Sequence, residues 1–183
     1  MPNEIHQKPQ TAIVVADATD YAGDLGTRTD QIDLTSLAAG AARQSDKVDL
    51  AIAAPNLAEL YAVYAAVEFA VAPTAGEVVD FYAGFSPSAT PGTANPGGLS
   101  GADGAYSGTA GSSLDEAVRQ LVFIGSLVAT PDATTVVQFQ FLGFVVAPER
   151  YVAFVADNNA DQALVGDAVE MGIRVVPYTP EVQ

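Results

Sequence analysis

The stretch TTVVQFQFLGFVVA, residues 134–147, decides the fold class. Val137, Phe139 and Phe141 alternate with Gln138 and Gln140. A repeat of two residues is what a strand with two unlike faces requires, and a helix of 3.6 residues per turn would scatter it. Its β-branched and aromatic side chains favour the same assignment. Upstream, LVFIGSLVA (121–129) is strand-like and PDAT turns the chain. Downstream, PERYVAFVAD (148–157) reads as another strand, NNADQALVGD as a loop and AVEMGIRVVPY (168–178) as a last strand.

Toward the N-terminus the pattern continues. AELYAVYAAVEFAVA (58–72) holds enough alanine for a helix, but Tyr61, Val63, Tyr64, Val67, Phe69 and Val71 favour a strand. PTAG then turns the chain, and EVVDFYAGF (77–85) reads as the returning arm of a hairpin. KVDLAIAA, QIDLTSL (31–37) and TAIVVAD (11–17) are shorter strand-like runs. AAGAARQSDK permits a short helix, against which Gly40 counts. LDEAVRQ (114–120) suits one helical turn with Ser113 as its cap. Eight to ten strands between Gly, Pro, Asn and Asp turns predict an all-β chain, an antiparallel β-sandwich with a jelly roll as the expected topology. A parallel β-helix is the weaker alternative, since no regular repeat is present.

The chain has 183 residues, enough for one domain with a substantial core. The expected organisation is a polar N-terminal arm over 1–10 and a single sandwich domain over 11–183. That domain is interrupted by one Gly/Ser/Pro-rich loop, 86–113. A connection of this length is uncommon unless it is functional or disordered. The aromatic residues mostly fall in strands and are expected in the core. Tyr106 differs, because it stands in the polar loop. It is expected either to pack that loop onto its own domain or to anchor on a partner.

Composition limits the function. There are 22 acidic and 7 basic residues, a net charge of −15, and the bases form no cluster. Nucleic-acid affinity rests on neutralised phosphates, so DNA and RNA are not expected partners. Charged residues make up 16% of the chain, below the ~25% of ordinary soluble domains, which suits a surface partly hidden in an assembly. Cysteine is absent, which excludes disulfides, thiolate metal sites and a cysteine nucleophile. The first ten residues lack the apolar stretch of a signal peptide, and no uncharged run reaches the ~18–20 residues of a membrane span.

Catalytic signatures are weak, and no enzymatic activity is expected. The single histidine, His6, lies in the polar arm, badly placed for a triad. Glu68 and Asp80, on the two arms of the expected hairpin, are the carboxylate pair considered for hydrolysis of glycosides. The glycines of NPGGLSGADG lack the strand, helix and lysine context of a phosphate loop. No cofactor is expected. Calcium is the one ion considered, at Asp17, Asp20 and Asp24 in DATDYAGD or at Asp157 and Asp161 in DNNAD. An EF-hand would need Gly and Glu where Gln162 and Ala168 stand, so the second site fails that motif. Turn formation is the ordinary role of such residues.

Five segments carry a resemblance: DYAGDLGTRTDQIDLTSLAAGAARQSDKVDL (20–50), APTAGEVVDFYAGFSPS (72–88), NPGGLSGADGAYSG (95–108), RQLVFIGSLV (119–128) and PERYVAFVADN (148–158). Together they resemble uncharacterised virion proteins of tailed bacteriophages, of the head decoration or cement type. The resemblance spans about residues 20–176 by phrase and order, without a catalytic motif. It implies a structural protein on the outer head surface of the virion, made in the bacterial host cytoplasm and partnered by the major capsid protein and by itself. A homotrimer matches the local three-fold positions of a capsid. The residues expected to make assembly contacts are Tyr106, Asp103, Asn95 and Pro96 in the loop, and Ile5 and His6 in the arm. The alternative is a fibre or tail module binding host glycan, through Tyr106 with Asp103 or Tyr21 with Asp20 and Asp24.

Overall fold

The computed structural model describes residues 5–51, 58, 60–132 and 136–182, the last by its backbone alone. Among these, the first strands in chain order are β1 (Ile5–Pro9), β2 (Ile13–Ala16), β3 (Asp30–Gln31), β4 (Ala42–Gln44), β5 (Val48–Asp49), β6 (Leu60–Val67) and β7 (Val78–Ser86). There follow β8 (Gly104–Tyr106), β9 (Val122–Val128), β10 (Gln138–Val145), β11 (Tyr151–Asn158) and β12 (Gly172–Val182). Among the described residues, helix is confined to a 3-10 turn at Pro96–Gly98 and to α1 (Leu114–Val118). Ser113 caps α1 in a reciprocal capping box with Glu116, satisfying two N–H groups that no helix turn can reach.

The strands form two sheets packed as a β-sandwich. One has the order β10-β6-β12-β2-β3, with β1 pairing the far end of β12. The other has the order β8-β4-β11-β7-β9, with β5 also on β11. All pairings are antiparallel except the short β2–β3 pair. Their facing sides bury Ile173, Val175, Val63 and Tyr61 against Phe81, Val79, Phe154 and Val152. The segment 31–37 contributes Ile32, Leu34 and Leu37 to the same core, although only Gln31 of it is strand.

One expectation about neighbours is corrected. The 58–72 and 77–85 segments hold the strands β6 and β7, which do not form a hairpin: β6 pairs with β10 and β12, whereas β7 pairs with β9 and β11 in the other sheet. The turn between them therefore carries the chain across the sandwich. The N-terminal arm is also structured from Ile5. It pairs residue for residue with β12, from Ile5 opposite Val182 to Pro9 opposite Tyr178. All five residues of β1 remain exposed, because this ribbon runs past the end of β6.

The sandwich closes along one side where β9 and β10, edge strands of different sheets, run close together. A Cβ added at Gly125 would lie 2.4 Å from the Leu142 carbonyl oxygen, so only glycine permits this approach. Gln138 and Gln140 fill the junction. Their side-chain oxygens accept hydrogen bonds from the N–H groups of Thr130 (2.8 Å) and Val128 (3.0 Å).

Candidate functional site

The alternation in β10 is real, but its faces are the reverse of the ordinary assignment. The glutamines serve the junction with β9, and the phenylalanines point out of the sandwich. Phe139 is 53% exposed, Phe141 42% and Phe144 59%. A bulge at Leu142 preserves this. Phe141 lies opposite Tyr64 and Phe144 opposite Ala62, so the extra residue keeps Phe144 on the outer face and returns Val145 to the core.

The outward rings form a continuous row. Tyr64 stacks on Phe139 with centroids 5.5 Å apart and planes within 3°, and meets Phe141 at 5.2 Å. Phe141 meets Phe144 edge to face at 5.0 Å, and Phe144 reaches Tyr178 at 6.4 Å. On the other sheet, Phe123 of β9 is 54% exposed and packs edge to face on Tyr82, which itself packs against the loop-covered cluster. Val122 and Val128 of β9, and Val136 and Val146 flanking β10, are exposed as well. Eight of the eleven exposed large apolar side chains among the described residues thus lie between 122 and 146. Scattered apolar residues need no explanation; a continuous exposed aromatic row is the feature of this surface that does.

The long loop is not that surface. It folds back with α1 over the outer face of its own sheet. Tyr106 and Leu99 are buried there against Ala117, Val118, Ala153 and Val155. Tyr106 is 3% exposed and its hydroxyl donates to the Gly97 carbonyl at 2.5 Å. Asp103 accepts from the Arg43 guanidinium at 2.7 and 3.1 Å, from the Asp33 N–H at 3.0 Å and from the Gln31 amide at 3.3 Å. Asn95 donates to the Leu99 carbonyl, and Pro96 opens the 3-10 turn. The four loop residues expected to make assembly contacts therefore make internal ones. Of Tyr106's two expected roles, the structure has the first.

A residue the sequence reading passed over does much of the fastening. The Lys47 ammonium donates to the carbonyls of Ser88, Thr90 and Thr93 at 2.7–2.9 Å and to the Ser86 hydroxyl at 3.0 Å. Lys47 precedes β5, nearly forty residues away in sequence, and nothing in KVDL signals this contact. The arm residues Ile5 and His6 do lie on the surface, in β1.

The acidic residues considered for calcium are dispersed. No trio of His, Asp or Glu side chains suited to a metal ion occurs among the described residues. Asp17 accepts the N–H groups of Thr19 and Asp20 in a turn, and Asp24 lies near Glu170, whose carboxyl it raises. Asp161 accepts from Thr74, away from Asp157. Tyr21, considered for glycan with Asp20 and Asp24, uses its hydroxyl on Leu25 and Gly26 of its own loop.

Asp80 does not face Glu68. It lies opposite Asp157 across β7 and β11, and the Asn159 amide donates to both carboxylates at 3.1 and 3.2 Å. Ser126 donates to the other oxygen of Asp80. Burial pushes Asp157 above the ordinary carboxylate range, and the nearby charges of Asp80 and Asp115 add to the rise. Tyr82 beside them is pushed up to about 12, chiefly by burial. This pair lies beside α1 on the loop-covered face of its sheet.

No family model, no curated protein and no solved structure matches this chain. The residues themselves define an acidic β-sandwich with one sheet face covered by its own loop and the opposite face bearing exposed rings.

Proposed function

We propose that this chain is a structural virion protein of a tailed phage, decorating the outer face of the capsid and reinforcing it through subunit contacts. The observation that carries the reading is the exposed aromatic row from Tyr64 to Phe144. Such a surface supplies apolar area to a neighbour without any catalytic group. The net charge of −15 suits a position outside the shell, away from packaged DNA.

The strand order supports the jelly-roll form of the sandwich. In chain order, β2, β4, β6, β7, β9, β10, β11 and β12 give β10-β6-β12-β2 against β4-β11-β7-β9. Two Greek keys wound together have this order, and capsid and lectin domains use it. The proposed assembly is a homotrimer bound to the major capsid protein.

Co-sedimentation with shells of that phage's major capsid protein tests the proposal, together with the molar mass in solution by light scattering. The expected result is a mass near three chains and saturable binding to shells. Replacing Phe141 and Phe144 together by Ser is expected to weaken shell binding at least tenfold. A wild-type protein that stays in the supernatant at all shell concentrations overturns the reading.

A further inference from the structure

Where the aromatic row ends at Phe139, the outer face of its sheet sinks into a cleft of about 350 Å³. Leu25, Val137 and Phe139 give it apolar walls, and Asp24, Glu170 and Arg174 bring polar groups to it. It is distinct from the row in its chemistry. Three strands and two loops contribute: Arg174 from β12, Ala66 from β6, Phe139 from β10, and the segments around Asp24 and Glu170.

Three observations point to a ligand. The cleft falls at the lower end of the range of small-molecule sites, about 300–1,000 Å³. The Phe139 ring is half exposed yet held flat by its parallel stack on Tyr64, so its orientation is set before anything binds. The Arg174 Nε atom is buried and has no hydrogen-bond partner in the protein. A buried donor left unpaired costs free energy, so such groups call for an explanation. Beside it stand the Asp24 and Glu170 carboxylates, which bring hydrogen-bond acceptors to the cleft, and the nearness of Asp24 holds Glu170 above the ordinary carboxylate range.

We propose that this cleft binds one neutral sugar residue, free or at the end of a glycan, with the sugar's C–H face on Phe139 and its hydroxyls on Asp24, Glu170 and Arg174. A pyranose presents this combination: an apolar face, hydroxyl donors for carboxylates and oxygen acceptors for a guanidinium. Two carboxylates against one guanidinium, in a chain of net charge −15, disfavour an anionic sugar or a phosphate. This inference goes beyond the decoration role; it shares Phe139 with the aromatic row and otherwise uses other residues. Of the glycan candidates read from the sequence, Tyr106, Asp103 and Tyr21 make internal contacts, and Asp24 lines the cleft.

The test is saturation-transfer NMR with the methyl glycosides of glucose, galactose and N-acetylglucosamine, and glucuronic acid as the anionic control. Binding of at least one neutral glycoside is expected, with the strongest transfer to protons of one ring face. Phe139→Ala and Glu170→Gln are each expected to weaken it at least tenfold, and Phe144→Ser to leave it unchanged. Arg174→Gln is expected to act like Glu170→Gln. If it melts early, Phe139→Ala, at a half-exposed position, carries the test. The proposal is overturned if none of the three neutral glycosides binds, if glucuronic acid binds better than all of them, or if Phe139→Ala and Glu170→Gln bind as the wild type does. Shell co-sedimentation of Glu170→Gln, whose side chain is outside the aromatic row, separates this outcome from failure of the decoration reading.

Discussion

Asp103 receives four hydrogen bonds from Gln31, Asp33 and Arg43, and so ties the long loop to two distant segments. Removing one partner of a largely buried ion pair strands the other. Asp103→Ala is therefore expected to cost about 2–3 kcal/mol, between the values for exposed and buried pairs. Urea unfolding checks this, and Asp103→Asn, which keeps the shape, should lose less. Asp46 acts in the opposite sense. Burial pushes its carboxyl up to about 6, against the hydrogen bond from the Gln31 N–H, with Asp30 and Asp103 adding to the rise. The folded state then holds a proton that the unfolded chain releases, so this residue's contribution to stability falls as pH rises from about 4 to about 6 and stays low above that. Asp46→Asn keeps the acceptor and removes the charge. It should raise the neutral-pH Tm by roughly 2–4 °C, what about 1 kcal/mol gives a chain of this size, once solvent screening is allowed for. It should also flatten the slope between pH 4 and 6, read by thermal melts across that range.

At the scale of elements, the long loop behaves as a third layer. Glycines let it approach so closely. A Cβ at Gly98 would lie 2.3 Å from the Thr109 nitrogen, and its φ of +73° is itself unfavourable for other residues. On β7, a Cβ at Gly84 would lie 2.1 Å from a Leu99 methyl carbon, so the absent side chain is the socket for Leu99. Gly84→Ala is expected to cost about 1–3 kcal/mol, the range for overpacking. Limited proteolysis should find cleavage within 86–113 before the sandwich itself unfolds. Lys47→Met is expected to speed amide hydrogen exchange across 86–95 while leaving β6 and β12 protected, because it removes a clasp and not a core contact. The loop was legible in the sequence as an exception to ordinary length. Its ordering was not, because the groups that hold it, Lys47, Arg43 and the Gly84 socket, lie outside it.

At the scale of the molecule, the two outer faces differ. One is covered by the loop and α1. The other is covered only in part, by Leu25 and Tyr21 over Val14 and Ala66, and bears rings beyond that. Side chains already in water contribute little to folding, so Phe141→Ser with Phe144→Ser should change stability by no more than about 1 kcal/mol. The same pair of changes should shift the light-scattering mass toward one chain. A large loss of stability with unchanged mass would mean the row supports the fold and not an assembly.

The sequence by itself determined the strand content, the capped turn at Ser113 and the two unlike faces of 134–147, because these depend on local propensity and period. It carried only part of the cleft, through Asp24. Only the tertiary structure decided which face of β10 meets the core, that β6 and β7 belong to different sheets, and that Tyr106 turns inward. A period of two distinguishes the faces of a strand without saying which is inside. That choice belongs to the neighbouring strands and the β9–β10 junction, where Gln138 and Gln140 find partners and the phenylalanines are left outside.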